Sequence, residues 1–101
     1  MILYNTTFNI DASSEKRWVD WMLSEGKNIL LSSSHVTDVK TYKLINTEEM
    51  GGVTYAVQAF IDTDSSLQSF LEQDEILFLN KVYLAFEGQL VHFCTQLREL
   101  R

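Results

Sequence analysis

The stretch that most constrains the fold of this chain is residues 51–61, GGVTYAVQAFI. Two glycines open it, and an acidic segment with two serines, residues 62–66, closes it. Its β-branched and aromatic residues alternate with a period of two, which predicts a strand over residues 53–61. Successive side chains of a strand point to opposite faces of its sheet. One predicted face is Val53, Tyr55, Val57, Ala59 and Ile61, and the other is Thr54, Ala56, Gln58 and Phe60.

The rest of the chain supplies three more strands and two helices. Strict alternation predicts a strand over residues 2–10, a weaker alternation predicts an edge strand over 36–46, and a last strand is predicted over 90–97. Possible caps at Asp11, Ser13 and Ser14, followed by apolar residues at helical spacing, predict a first helix that ends in the serines at 32–34. A second helix is predicted to begin at a Ser65–Gln68 capping box and to end near Gly88.

This order, β-α-β-β-α-β, is typical of the ferredoxin-like fold. We therefore expect an α+β protein with a four-stranded antiparallel sheet and two helices on one face. Right-handed crossovers place strands 1 and 3 in the centre, with strands 2 and 4 outside. At 101 residues, the chain is expected to form a single domain over residues 1–101.

Composition and charge exclude several classes of function. The net charge of −6 disfavours binding to nucleic acid, whose phosphates require cationic partners. No apolar stretch approaches the roughly 20 residues of a membrane span, and the first residues do not resemble a signal peptide. A single cysteine leaves no intrachain disulfide, so a reducing compartment, the cytoplasm, is expected.

A sheet covered by helices on one side has a second face that is open. We expect this face to carry small, amide and aromatic groups, which suits either a sheet-to-sheet homodimer or a pocket for a small-molecule ligand. The residues proposed to bind a ligand there are Asn5, Tyr42, Gln58, Phe60, His92 and Cys94.

No residue is assigned to catalysis, and no cofactor or metal ion is expected. His92 and Cys94 lie two apart on one strand face, but a cysteine nucleophile also requires an orienting group and donors for the developing oxyanion. His35, His92 and Cys94 do not follow the spacing of a known metal site. No glycine-rich phosphate loop precedes a helix, because Gly51 and Gly52 precede a strand.

The second half of the second helix, residues 76–86, is apolar almost all round. A helix of this kind is normally covered on every side. In a domain of this size, the second cover is expected to come from another copy of the chain.

Two segments carry a resemblance to a known family. The start MILYN with the later Trp18-x-x-Trp21-Met22, and the strand GGVTYAVQ, resemble a family of short bacterial proteins known only as a domain of unknown function. The resemblance extends through Phe86, Gly88 and the last strand. It implies membership of the dimeric α/β-barrel group of ferredoxin-like proteins, in which two subunits pack their open sheet faces together. That group includes cofactor-free monooxygenases, haem-degrading enzymes, isomerases and ligand-sensing domains, so the resemblance implies no single activity.

The chain departs from the family pattern at two histidines, which correspond here to Gly26 and Asp74. If those histidines act in the family, this chain has lost that act. We therefore predict a non-catalytic ligand-binding or protein-interaction homodimer. The alternative is an enzyme of the cofactor-free monooxygenase or isomerase kind, using Asn5, Tyr42, Gln58 and His92 inside the barrel.

Overall fold

The computed structural model describes residues 1–45 and 51–100. Within these residues the chain forms four strands and four α-helices, and a short 3₁₀ turn, Ala12–Ser14, precedes the first helix. A π-helical turn, Met22–Gly26, joins the first two helices. In chain order the elements are β1 (Ile2–Ile10), α1 (Glu15–Trp21), α2 (Lys27–Leu31), β2 (Asp38–Lys43), β3 (Val53–Ile61), α3 (Asp64–Gln73), α4 (Glu75–Ala85) and β4 (Leu90–Arg98).

The four strands form one antiparallel sheet in the order β2-β3-β1-β4. This confirms the α+β, ferredoxin-like architecture predicted from the element order, with β1 and β3 in the centre. Asn5 lies in the middle of β1, paired with Gln58 on one side and Thr95 on the other.

The core fills the space between the sheet and the helices. From β1 it receives Ile2, Tyr4, Phe8 and Ile10, all of which are buried. The two aromatic rings among them, those of Tyr4 and Phe8, pack on rings from the helices. The distance between ring centroids is 4.8 Å for Tyr4 and Phe70 and 5.4 Å for Phe8 and Trp18. Aromatic contacts of this geometry add to the free energy gained from burial.

The first helix is broken where two bulky side chains crowd a glycine. A Cβ atom at Gly26 would lie 2.4 Å from the Met22 sulfur and 3.1 Å from the Trp21 ring. The π-helical turn ends at this glycine. The absence of a side chain at Gly26 leaves room for the side chains of Met22 and Trp21. Met22 and Gly26 are both buried.

The second predicted helix is two helices that meet at Asp74. The Asp74 backbone has φ −109° and ψ −30°, and its side-chain Oδ2 accepts a 2.6 Å hydrogen bond from the Ser33 hydroxyl. The predicted capping box was wrong by two residues, because the N-cap is Thr63, whose hydroxyl accepts from the Ser66 backbone N–H.

The second strand is shorter than predicted, since it begins at Asp38 and ends at Lys43. The predicted turn at residues 46–50 lies outside the described residues. Gly52 begins the return into β3 with φ 82°, a backbone conformation that favours glycine, and a Cβ there would lie 2.7 Å from the Ile10 carbonyl oxygen. In the described part of the chain, no helix has the length and apolar character to cross a membrane.

Candidate functional site

The open face of the sheet presents four rows of side chains, one residue per strand in each row. Its centre is made of amides, hydroxyls and methyl groups, and the ionisable groups of these rows lie on β2. The register gives the rows, in the order β2, β3, β1, β4, as Asp38-Phe60-Leu3-Leu97, Lys40-Gln58-Asn5-Thr95, Tyr42-Ala56-Thr7-Phe93 and Leu44-Thr54-Asn9-Val91.

Asn5 is the most buried polar residue at the centre of this face, with 9% of its surface exposed. Its amide Nδ2 donates to the Thr7 hydroxyl at 3.1 Å. Its carbonyl Oδ1 is buried and has no hydrogen-bond partner among the described residues. Because a buried acceptor without a partner costs free energy, this oxygen is suited to a donor from a ligand or from a second chain.

The structure places four of the predicted ligand-binding residues together. Asn5 and Gln58 are direct cross-strand partners, Phe60 lies one row away, and Tyr42 lies on β2 in the row beyond Lys40. Their placement on the open face was predicted correctly. Binding of a ligand by these residues stays a prediction.

The placement of His92 and Cys94 on the open face was wrong. In the register with β1, His92 pairs with Phe8 and Cys94 with Thr6, and both of these residues face the helices. The sequence argument took the more apolar side of β4 as the core side. The apolar side of this strand faces away from the helices instead.

That apolar side of β4 is exposed. Val91 is 66% exposed, Phe93 63% and Leu97 44%. Leu97 also helps to line an apolar groove of about 320 Å³ at one end of the sheet, together with Leu3 and Phe60.

A second group of polar side chains, which the sequence did not predict as a unit, lies between β4 and α4. The Tyr4 hydroxyl donates to Glu75 Oε2 at 2.6 Å and lies 3.1 Å from Cys94 Sγ. Burial, followed by the bonds to Cys94 and Glu75, raises the pKa of Tyr4 strongly, so this phenol stays protonated. Alternation in β4 indicates which residues share a side, but not which side meets the helices, so no local pattern could have revealed the cluster.

His92, two residues before Cys94 on β4, bonds a different tyrosine. Its Nδ1 lies 2.5 Å from the Tyr83 hydroxyl, and its ring lies 6.1 Å from that of Phe8. Burial, and then the nearby Cys94, raise the pKa of Tyr83. His92 and Cys94 thus have separate hydrogen-bond partners, and the two do not form the thiol–imidazole pair that nucleophilic catalysis requires.

A third polar cluster joins the first helix to the edge of the sheet. Glu15 Oε2 accepts from the Tyr55 hydroxyl at 2.7 Å and from Lys43 Nζ at 2.8 Å. The hydrogen bonds from Lys43 and Tyr55 lower the pKa of Glu15. Burial, with the bond to Glu15, raises the pKa of Tyr55 to about 12. Each member has a partner within the domain, so this cluster stabilises the fold.

Metal-binding chemistry has no cluster to support it in the described residues. No group of three or more histidine, cysteine, aspartate or glutamate side chains there could hold a metal ion.

Solved structures share the fold at low sequence identity. An ethyl tert-butyl ether D (EthD) family protein from Bacillus halodurans is 16% identical, with a TM-score of 0.69, over 99% of this chain and 100% of that one. A dimeric ferredoxin-like protein from an uncultured marine organism is 12% identical, with a TM-score of 0.67, over 95% of this chain and 92% of that one. A mutant of SnoaB, a cofactor-independent oxygenase from Streptomyces nogalater, is 8% identical, with a TM-score of 0.67, over 99% of this chain and 93% of that one. Identities this low show the shared fold alone.

Curated proteins provide no match to this chain. A protein-family model, by contrast, matches residues 1–100, almost the whole chain. The match agrees with the resemblance carried by MILYN and GGVTYAVQ. The chain therefore belongs to the family described as "Domain of unknown function (DUF4286)".

Proposed function

We propose that this protein acts as a homodimer, formed through the open sheet faces, that binds a small molecule or a protein partner without catalysing a reaction. The observation that carries the proposal is the orientation of β4. Its apolar residues Val91, Phe93 and Leu97 point away from the helices and remain exposed in the single chain. A strand normally turns its apolar side toward a covering layer, so a second layer is expected over this face.

A second copy of the chain is the simplest occupant of that face. Identical sheets that meet about a two-fold axis place apolar edges and amide centres against one another. Asn5 Oδ1 would then receive a donor from the partner chain or from a ligand held between the sheets. A similar fold occurs in the ferredoxin-like protein described as dimeric.

Binding without catalysis fits the composition of this face. The two central strands contribute Asn5, Gln58, Thr7 and Thr54 to it, which can orient a ligand by hydrogen bonds but do not titrate near neutral pH. We also propose the cytoplasm as the location, since the single cysteine, Cys94, is a free thiol.

The dimer is tested by sedimentation velocity at micromolar concentration, with Phe93→Glu against Leu84→Glu as the matched control. Both residues are exposed and apolar. Leu84 lies on α4, in the helical layer, which a dimer of open sheet faces leaves uncovered although the sequence predicted a second copy over this helix. We expect a wild-type dimer and a Phe93→Glu chain that dissociates about 100-fold more readily, because an unpaired charge in an interface is costly. A monomeric wild type would contradict the proposal. Dissociation of the dimer by Leu84→Glu but not by Phe93→Glu would show that the interface is formed by α4 and not by the sheet.

The ligand is sought by native mass spectrometry of the protein purified from its own cells. A bound small molecule retained by the wild type and lost from Gln58→Leu would support binding between the sheets. Retention of the same molecule by Gln58→Leu would place its site elsewhere.

The second candidate function is a cofactor-free monooxygenase or isomerase. It is favoured by the buried Asn5 carbonyl, which has no partner within residues 1–45 and 51–100, and by the fold shared with the cofactor-independent oxygenase SnoaB. Its residue set loses His92, which faces the helices. Oxygen consumption with a phenolic substrate, abolished by Asn5→Leu, would support this candidate over binding alone.

A further inference from the structure

The apolar groove at one end of the open face has a cation beside it. Its lining residues are Met1, Leu3, Phe60, Leu97, Arg98 and Glu99. Its volume of about 320 Å³ lies near the lower end of the range of ligand pockets, roughly 300–1,000 Å³, so a ligand seated there is small. Lys40 Nζ lies 5.5 Å from the centroid of the Phe60 ring. Among the residues that the structure describes, Lys40 makes no ion pair with a carboxylate, so its charge is available to an anionic ligand.

The other charged groups at this end of the sheet limit the charge of such a ligand. The Arg98 guanidinium is engaged, since its Nη2 lies 3.0 Å from Asp64 Oδ1. The Met1 ammonium lies 3.9 Å from Glu99 Oε1. A further carboxylate, that of Asp38, belongs to the same row as Phe60. Because these carboxylates repel anions, a ligand with one negative charge fits this site better than a phosphate or a dicarboxylate does.

A buried acceptor without a donor lies next to the groove. Asn5 follows Leu3 on the open face of β1, and it is 9% exposed. Its Nδ2 donates to Thr7, which lies beyond Asn5 on the side away from the groove. Since Nδ2 and Oδ1 diverge from one planar carbon, Oδ1 is turned away from Thr7, and the groove lies on that side. Oδ1 has no hydrogen-bond partner among the described residues, so a donor from a ligand would relieve the cost of its burial.

Gln58 lies between this acceptor and the cation. It is the cross-strand partner of Asn5 on one side and of Lys40 on the other, and it is half-buried. A carboxylate has two oxygens that accept hydrogen bonds. One carboxylate can therefore accept from both Lys40 Nζ and Gln58 Nε2.

We propose that this end of the open face binds an apolar hydroxy acid with a single carboxylate. The carboxylate accepts from Lys40 and Gln58, the hydroxyl donates to Asn5 Oδ1, and the apolar body lies in the groove beside Phe60. Because Asn5 Oδ1 is buried in the single chain, binding includes a turn of the Gln58 side chain that gives the hydroxyl access. The inference rests on the proposed function, since it names the class of ligand held between the two sheets.

A hydroxyl suits Asn5 Oδ1 better than an ammonium group does. The Asn5 amide is uncharged, so a cation buried against it would lack a counter-ion. An ammonium group would also be repelled by the like charge of Lys40 in the same row. A neutral donor avoids both costs, which favours a hydroxy acid over an amino acid.

Isothermal titration calorimetry with 3-hydroxyoctanoate and three analogues tests each contact. Octanoate lacks the hydroxyl, the methyl ester of 3-hydroxyoctanoate lacks the charge, and 3-hydroxybutanoate lacks most of the apolar chain. We expect octanoate and the ester to bind about tenfold more weakly than 3-hydroxyoctanoate, the effect of one lost hydrogen bond or ion pair. We expect 3-hydroxybutanoate to bind about 100-fold more weakly, because each buried methylene group stabilises the complex.

Variants of two residues assign the contacts. Lys40→Met should bind 3-hydroxyoctanoate about tenfold more weakly but bind its methyl ester as the wild type does. Lys43→Met is the matched control, because Lys43 lies on the same strand and bonds Glu15 on the helix side. Asn5→Leu should bind 3-hydroxyoctanoate and octanoate with equal affinity. If circular dichroism shows that Asn5→Leu does not fold, Asn5→Ala replaces it.

Sedimentation velocity of the same samples separates this inference from the proposed function. A dimeric wild type that binds none of the four compounds would overturn the ligand class and leave the dimer. A monomeric wild type that prefers 3-hydroxyoctanoate would overturn the dimer and support the ligand class.

Three further results would overturn the assigned contacts. Unchanged affinity for 3-hydroxyoctanoate in Lys40→Met would remove the ion pair. An Asn5→Leu chain that still prefers 3-hydroxyoctanoate to octanoate would place the hydroxyl elsewhere. Tighter binding of 3-aminooctanoate than of 3-hydroxyoctanoate would show that the site selects an ammonium group.

Discussion

The two faces of the sheet differ in how they are completed. The helix side is closed by the chain itself, with Phe8, Ile10 and Trp18 fully buried. The open side has no second layer within the described residues, and it carries an amide centre around Asn5 and exposed apolar residues such as Phe93 at its edge. The difference teaches that an apolar strand face does not by itself mark the core of the chain. On β4 it marks the surface that a second layer would cover.

The largest expected effect tests the closed face against the open one. Phe8→Ala removes a buried ring that contacts Trp18 and Phe78, and should lower the free energy of unfolding by about 3 to 5 kcal/mol. Phe93→Ala should change it by less than about 1 kcal/mol in the dissociated chain, since surface substitutions have small effects. Urea unfolding at low protein concentration measures both. An equal loss of unfolding free energy in Phe93→Ala and Phe8→Ala would show that the two faces are packed alike in the single chain.

Raising the protein concentration tests whether a second copy of the chain covers the open face. A dimer makes the unfolding midpoint depend on concentration. That dependence should weaken in Phe93→Ala and persist in Leu84→Ala. A wild-type midpoint that does not change with concentration would count against a covering second copy.

A smaller effect tests the close packing of the helical layer over the closed face. Gly26→Ala adds a methyl group against Met22 and Trp21. It should destabilise the protein by about 1 to 2 kcal/mol, because overpacking outweighs the helix preference of alanine. At Gly51 an added Cβ meets nothing within 4 Å, so Gly51→Ala is the matched control. Thermal unfolding of both variants compares them, and equal midpoints would contradict the crowding at Gly26.

The smallest effect concerns pH at the edge of the closed face. The bonds from Lys43 and Tyr55 lower the folded-state pKa of Glu15. Their contribution is therefore complete above the unfolded value of about 4.3 and is lost as the pH falls through the lower folded value. The wild type should lose more thermal stability between pH 5 and pH 3 than Glu15→Gln does. An identical pH dependence in the two proteins would show that the bonds to Glu15 do not stabilise the folded state.

Much of the fold was accessible from local patterns. The bounds of β1 and β3 follow from unbroken alternation between turn residues, and the β-α-β-β-α-β order selects a sheet with these strands in its centre. Asn5, Gln58 and Phe60 were placed on the open face because β1 and β3 alternate clearly, and Tyr42 was placed there although β2 alternates more weakly. The split of the second helix at Asp74 was missed, since it depends on Ser33, which lies far away in the sequence.

The sequence by itself determined the elements, their order and the alternation within each strand, because these depend on neighbouring residues. Only the tertiary structure decided which side of β4 meets the helices. A period of two is unchanged when a strand turns over, and the direction is set by the register with β1, which pairs Phe8 with His92 and Thr6 with Cys94. The chain of bonds from Cys94 through Tyr4 to Glu75 was likewise decided by packing, since it joins residues from three elements that are distant in the sequence.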